Sequence, residues 1–321
     1  MSTFSVTRSA NGQVVLGFQN LDNYNVDGVG KMSGDAKFSL GTTGASNETV
    51  LQIGQSSDAG SLVFEATSSK DNIEFYGTNI DASIKNQSTS PYNISWKAHN
   101  SKFDSSKSAS SVLFSADKES YNNYIQLGAS KAKVANTYDN LIYDDGKDNI
   151  YVSADNTTSR VETLANSKGA FVDAGNGANE FYVGGDLGTF VGGTGQDTFI
   201  TSKATAYKNM MIGKEGADVL ADYGNNSLFI GGSGYDTTYM YGTNGIANHG
   251  FNETGKYDWT YGTGNSVFTG ESQTDVNGKV YSYKDVLKQK GWTLASYLTE
   301  SGIANNPYYS LIKKDVEESL G

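Results

Sequence analysis

The chain has 321 residues, 38 of them Gly, with 2 Pro, no Cys and a formal net charge of −11. Without Cys, neither disulfides nor thiolate metal sites can contribute, so the framework must rest on packing, hydrogen bonds or oxygen-ligated ions. The acidity, with Arg8 and Arg160 the only arginines, disfavours nucleic acid as a partner, because phosphate contacts need a basic face, whereas an acidic surface suits cations.

Abundant Gly, Asn, Asp and Ser favour short strands joined by tight turns, since Gly, Asn and Asp tolerate left-handed backbone angles. The opening residues Met1-Ser-Thr-Phe-Ser-Val6 lack a basic region followed by an apolar core. Nor does any stretch approach the roughly 20 apolar residues of a membrane span. The expectation is a cytosolic chain, or one exported without a cleaved N-terminal signal.

Residues 1–138 read as an N-terminal β-rich domain. Its first strands are Phe4-Ser-Val6 and Val14-Val-Leu-Gly-Phe18, and no polar cap follows Met1. Solenoid ends must be capped or paired, so this edge is a candidate for pairing between subunits. A loose repeat sets residues 61–67 (SLVFEAT) beside 111–117 (SVLFSAD), and 72–77 (NIEFYG) beside 123–128 (NYIQLG). The element Lys70-Asp-Asn-Ile73 recurs as Lys147-Asp-Asn-Ile150. Alternation alone leaves two options open, a wider solenoid or a sandwich.

Residues 139–262 carry a clearer repeat. Residues 174–182, 183–191 and 192–200 form three nonapeptides, and after an insertion at 201–212 three more follow at 213–221, 222–230 and 231–239. Their eighth positions read Phe181, Phe190, Phe199, Leu220, Phe229 and Thr238. One inward side chain per unit fits an 18-residue coil of two strands, in which alternate units occupy opposite sheets and residues 18 apart stack.

Residues 192–200, Gly192-Gly193-Thr194-Gly195-Gln196-Asp197-Thr198-Phe199-Ile200, match the pattern G-G-x-G-x-D-x-U-x throughout. Gly231-Gly232-Ser233-Gly234-Tyr235-Asp236 matches as far as the aspartate, with Thr238 at the apolar place; Gly213, Gly216 and Asp218 form an eroded version. This third of the chain resembles the calcium-binding β-roll of RTX proteins. The resemblance implies a parallel β-solenoid or β-roll in an all-β chain. It also implies calcium held by turn carbonyls and by aspartates of stacked turns, calcium being a hard ion that takes 6 to 8 oxygens. The 18-residue rule pairs Asp218 with Asp236 and Asn179 with Asp197, the first pair expected to bind more tightly. The interleaved units have Gly188 and Ser227 in place of the acid. Asp144, Asp145 and Asp148 form a further acidic turn that could join such a site or remain a solvated loop.

Residues 263–321 change character. Three stretches, 282–291, 293–302 and 306–321, each combine a capping residue, a helical run and a terminal Gly, with Pro307 at a favoured first helical position. Three short helices are expected, in a segment that RTX resemblance would make an uncleaved export signal.

His99 and His249 are isolated, and no metalloprotease, nucleophile-elbow or phosphate-loop motif appears. A polysaccharide lyase or epimerase on a β-helix would need a cation, commonly Arg, beside a general base, and neither arginine lies near a cluster of bases. Trp96, Trp259, Tyr239, Tyr241, Tyr257 and Tyr261 could stack on sugars, though aromatic ladders more often fill or cover a solenoid. RTX proteins leave the cell by type I export and fold in external calcium. With no toxin, protease or lipase domain beside the repeats, the resemblance points to a secreted, extracellular or cell-surface structural protein that binds calcium and associates with itself as a surface layer, filament or matrix. Cell-surface polysaccharide is the alternative partner, for an adhesin or carbohydrate-binding protein.

Overall fold

A computed structural model describes residues 2–8, 14–17, 30–40, 51–66, 72–78, 81–86, 92–108, 111–128, 138–202, 205–250, 257–274 and 279–320. Phe18, Lys70 and Asp71, singled out above, lie outside these residues, as does the side chain of Tyr257.

Two parallel sheets wind together as a β-solenoid. The first, here the open sheet, contains Tyr92–His99, Val112–Ala116, Asn140–Asp144, Ser159–Thr163, Glu180–Val183, Thr198–Thr201, Val219–Asp222, Thr237–Met240 and Tyr257–Thr260, each paired with the next in parallel. The second, the covered sheet, contains Lys102–Asp104, Tyr124–Leu127, Ile150–Ser153, Phe171–Asp173, Thr189–Gly193, Met210–Glu215, Leu228–Ser233, Ile246–Asn248 and Ser266–Phe268. The long strands Gly30–Leu40 and Leu51–Ala66 extend both sheets towards the N-terminus. The described upstream strands from Gly30 onward thus pair in parallel, as the coils that follow do. Ser2–Arg8 pairs with Gly30–Leu40 in parallel and with Val14–Gly17 antiparallel.

The expected inward column is present. Phe181, Phe199, Leu220 and Thr238 stack in the open sheet, while Phe190, Met211 and Phe229 stack in the covered one. All are at most 1 % exposed. Residues 201–212 are not a mere insertion, however. Met210–Glu215 occupies its own rung between Thr189–Gly193 and Leu228–Ser233, so the stretch is a full half-coil enlarged at its turn. Met211 rather than Phe at the inward position hides it from a repeat search.

The two sheets differ on their outer faces. Strands of the open sheet alternate buried and half-buried residues, as at Asn140–Asp144 and Ser159–Thr163. In the covered sheet Tyr124, Ile150, Phe171, Met210, Leu228 and Ile246 point outward yet are buried. They meet the C-terminal segment, whose helices α1 (Tyr283–Gln289), α2 (Leu294–Ser301) and α3 (Lys313–Leu320), with the turns that join them, lay Val286, Leu287, Trp292, Tyr297, Ile303, Ile312 and Val316 over this face. A sheet buried on both faces reads as near-continuous apolar sequence, as in Met210-Met211-Ile212 and Leu228-Phe229-Ile230.

The Thr293 side chain caps α2 at Ser296 N–H (3.2 Å), and Gly302 closes it in the left-handed region. The third expected helix differs. Pro307 lies in a turn and the α-helix starts only at Lys313. The Asn306 amide explains this: its oxygen accepts the Tyr308 N–H (2.8 Å), fixing a turn, while its nitrogen donates to the carbonyls of Asp148 (2.6 Å) and Asn123 (3.2 Å).

At one turn of successive coils, from Asn100 onward among the described residues, a residue adopts positive φ: Asn100, Asn122, Asp148, Gly169, Leu187, Lys208, Asn226, Asn244 and Gly264. Asn, Asp and Gly are the residue types that enter this region most readily. The two departures serve the C-terminal segment. The Leu187 carbonyl accepts from the Tyr297 hydroxyl (2.8 Å), and Lys208, 4 % exposed, pairs with Glu300 at 2.6 Å.

Candidate functional site

The acid and amide of the Gly-rich nonapeptides converge on the turn opposite the left-handed column. There Asn179, Asp197, Asp218 and Asp236 occupy one file, each in its own coil and each at most 1 % exposed. The Oδ1 of each accepts a backbone N–H from the preceding coil: Asn179 from Ser159 (2.7 Å), Asp197 from Asn179 (2.8 Å), Asp218 from Asp197 (2.8 Å) and Asp236 from Asp218 (3.0 Å). The two expected pairs are thus one continuous file. The enlarged coil between Asp197 and Asp218 absorbs its extra residues without breaking register.

The glycines have identifiable tasks. A Cβ on Gly192, Gly213 or Gly231 would lie 2.1, 2.0 or 1.9 Å from Oδ2 of Asp197, Asp218 or Asp236, so the first glycine of each unit makes room for the carboxylate five residues on. A Cβ on Gly195, Gly216 or Gly234 would lie 2.2, 2.0 or 1.4 Å from the carbonyl oxygen of Gly177, Gly195 or Gly216. That is glycine stacked on glycine. Between them, Gly193 and Gly232 have φ of 101° and 99°, and Lys214 takes the same position at 73°.

Burial pushes the Asp197 carboxyl up to about 7, against the opposing pull of the Asn179 donors. Its Oδ2 is buried without a hydrogen-bond partner. A file of carboxylates out of water requires protons or a cation to offset its charge. The available donors are carboxylate and carbonyl oxygens, the chemistry a hard divalent cation takes. In that respect Asp197, Asp218 and Asp236, with Asn179 at the file's end, fit calcium. Among the described residues no group of three or more His, Asp or Glu side chains gathers around one point; the file is linear.

The opposite turn carries an amide counterpart that sequence reading missed. Asn123 accepts the Ser101 N–H (3.0 Å), Asn149 that of Asn123 (3.3 Å), Asn209 that of Gly188 (2.8 Å) and Asn265 that of Gly245 (2.8 Å). Gly188 and Ser227, read as places where the acid is missing, belong to this second file. Asn at Asn149, Asn209 and Asn265, each ahead of a strand, was the available signal.

The acidic turn does not form one site. Asp144 is buried and accepts from Ser167, Tyr151 (2.6 Å) and Asn149 (2.9 Å). Asp145 holds the backbone and side chain of Asn166 at the surface (3.1 and 3.0 Å), and Asp148 sits in the left-handed column. His99 stacks on Tyr121, and buried His249 packs edge-on to Phe229. Trp96 is core, against Phe75 and Phe103. Tyr239 and Trp259 stack outside, as do Tyr223, Tyr241 and Tyr261.

No protein-family model, curated protein or solved structure matches the chain.

Proposed function

We propose that this is an extracellular or cell-surface structural protein that associates with itself, with calcium neutralising the Asp197–Asp218–Asp236 file. The observation that carries the association is the solenoid's ends. Tyr257–Thr260 and Ser266–Phe268 each pair on one side only among the described residues, as does Val14–Gly17 at the other end. Such edges present backbone donors and acceptors that template another chain. The cation reading rests on the buried file, where calcium bound at neutral pH would take over the charge compensation that a proton supplies at lower pH. Export outside the cell, where calcium is plentiful, and the resemblance to RTX repeats belong to the same proposal.

The test is light scattering and electron microscopy of the purified chain in calcium and in chelator, with Asp218→Asn/Asp236→Asn alongside. Asn keeps the Oδ1 acceptor of the file and removes the charge. Large particles that form in calcium, dissolve in chelator and become calcium-independent or absent in the double variant are expected. A monodisperse wild type in both conditions would refute the association. Identical calcium response in the double variant would refute the role of the file.

A further inference from the structure

The outer face of the open sheet changes along the rod. On the rungs Ser159–Thr163 and Glu180–Val183 its outward positions include Arg160, Glu162 and Glu180. On the next four rungs, Thr198–Thr201 to Tyr257–Thr260, no described outward side chain is charged. There two aromatic ridges run along the rod. Tyr239 and Trp259 stack at 4.7 Å and 3°, and beside them Tyr223, Tyr241 and Tyr261 stack at 4.6 and 4.8 Å within 6° of parallel. Tyr241 is 40 % and Tyr261 62 % exposed.

Three features decide what covers such a surface. An exposed, charge-free patch rich in Tyr and Trp has the make-up of an interface core. In a chain carrying −11, two copies meeting on this patch bring no described like charges together. Because the rings face one another, their edges point outward as ridges repeating at the strand spacing. A second copy has this period by construction, so ridge can seat in groove along the whole contact; a sugar needs an open ring face, which the stacking largely occupies. Finally, the outer face of the covered sheet is taken by the chain's own helices, which among the described residues leaves this face for a partner.

We propose that the charge-free end of the open sheet is a lateral interface between two copies of the chain, packed face to face about a two-fold axis. This rests on the self-association reading and adds a lateral surface to the solenoid's ends. Sedimentation velocity of the full chain in calcium tests it with Tyr241→Glu, and with Leu164→Glu as a control on the exposed Leu164 of the same face. Wild type and Leu164→Glu should associate alike, and Tyr241→Glu at least tenfold more weakly. Equal association of all three would overturn the interface and leave self-association standing, whereas a wild type monomeric at every concentration would sink both. Retention of that monomer on insoluble neutral glucan, lost in Tyr241→Glu, would instead give the face to a sugar. Should Tyr241→Glu fail to fold by circular dichroism, p-benzoylphenylalanine at position 241 decides: photo-cross-linked dimers support the interface, and monomer alone refutes it.

Discussion

Single residues in this solenoid are constrained by the coil stacked above or below. Gly231 illustrates this, since any side chain there meets the Asp236 carboxylate. Gly231→Ala should cost about 1–3 kcal/mol by overpacking, while Lys214→Gly should gain up to about 1 kcal/mol by relieving a left-handed lysine whose ion pair with Asp315, 3.8 Å and half in solvent, contributes little. Urea midpoints of the two variants check both signs. Asp148 gives a pH dependence. Burial pushes its carboxyl up to about 7, with Lys168 and Lys147 opposing and Asp144 adding to the rise. The folded protein therefore keeps a proton that an unfolded chain, with a pKa of about 4, has released. Stability from this group is greatest below about pH 4 and drains away as pH climbs to about 7. Asp148→Asn, which preserves the left-handed preference, should flatten that decline in urea titrations across the same range; parallel profiles would contradict it.

Among the elements, the C-terminal segment is the part whose placement sequence conveyed least. Its helical stretches were legible from Thr293, Gly302 and Gly291, because capping is local chemistry. Where they dock was not, since docking depends on contacts across more than a hundred residues. The Tyr297 hydroxyl pairs with Thr189 Oγ1 (2.7 Å) as well as the Leu187 carbonyl. Tyr297→Phe strands these buried partners and should lower stability by about 1–3 kcal/mol, read as a shift in the urea midpoint; no shift would mean the hydroxyl contributes nothing to docking. Pro307 misled because its fixed φ suits a helix start and a turn equally, and Asn306, engaged with Asp148 and Asn123, chose the turn. The candidate site was more legible. The 18-residue spacing paired Asn179 with Asp197 and Asp218 with Asp236 because stacking is set by coil length, whereas the join between the pairs crosses a step of 21 residues that the repeat does not encode. The amide file opposite escaped notice because Asn in a Gly-rich repeat looks like ordinary turn chemistry.

For the whole molecule, the rod is built from near-neighbour contacts, yet its helical cover is not. Coils can wind in chain order, each on the last. The cover comes later in the chain and runs backwards, from Lys290 on the Gly264 carbonyl, past Tyr297 at Leu187, to Asn306 at Asn123. Wherever folding follows chain order, a greasy flank of Ile150, Phe171, Met210, Leu228 and Ile246 is consequently finished before its roof is in place. Until the last three helices dock, the rod is wound but sticky.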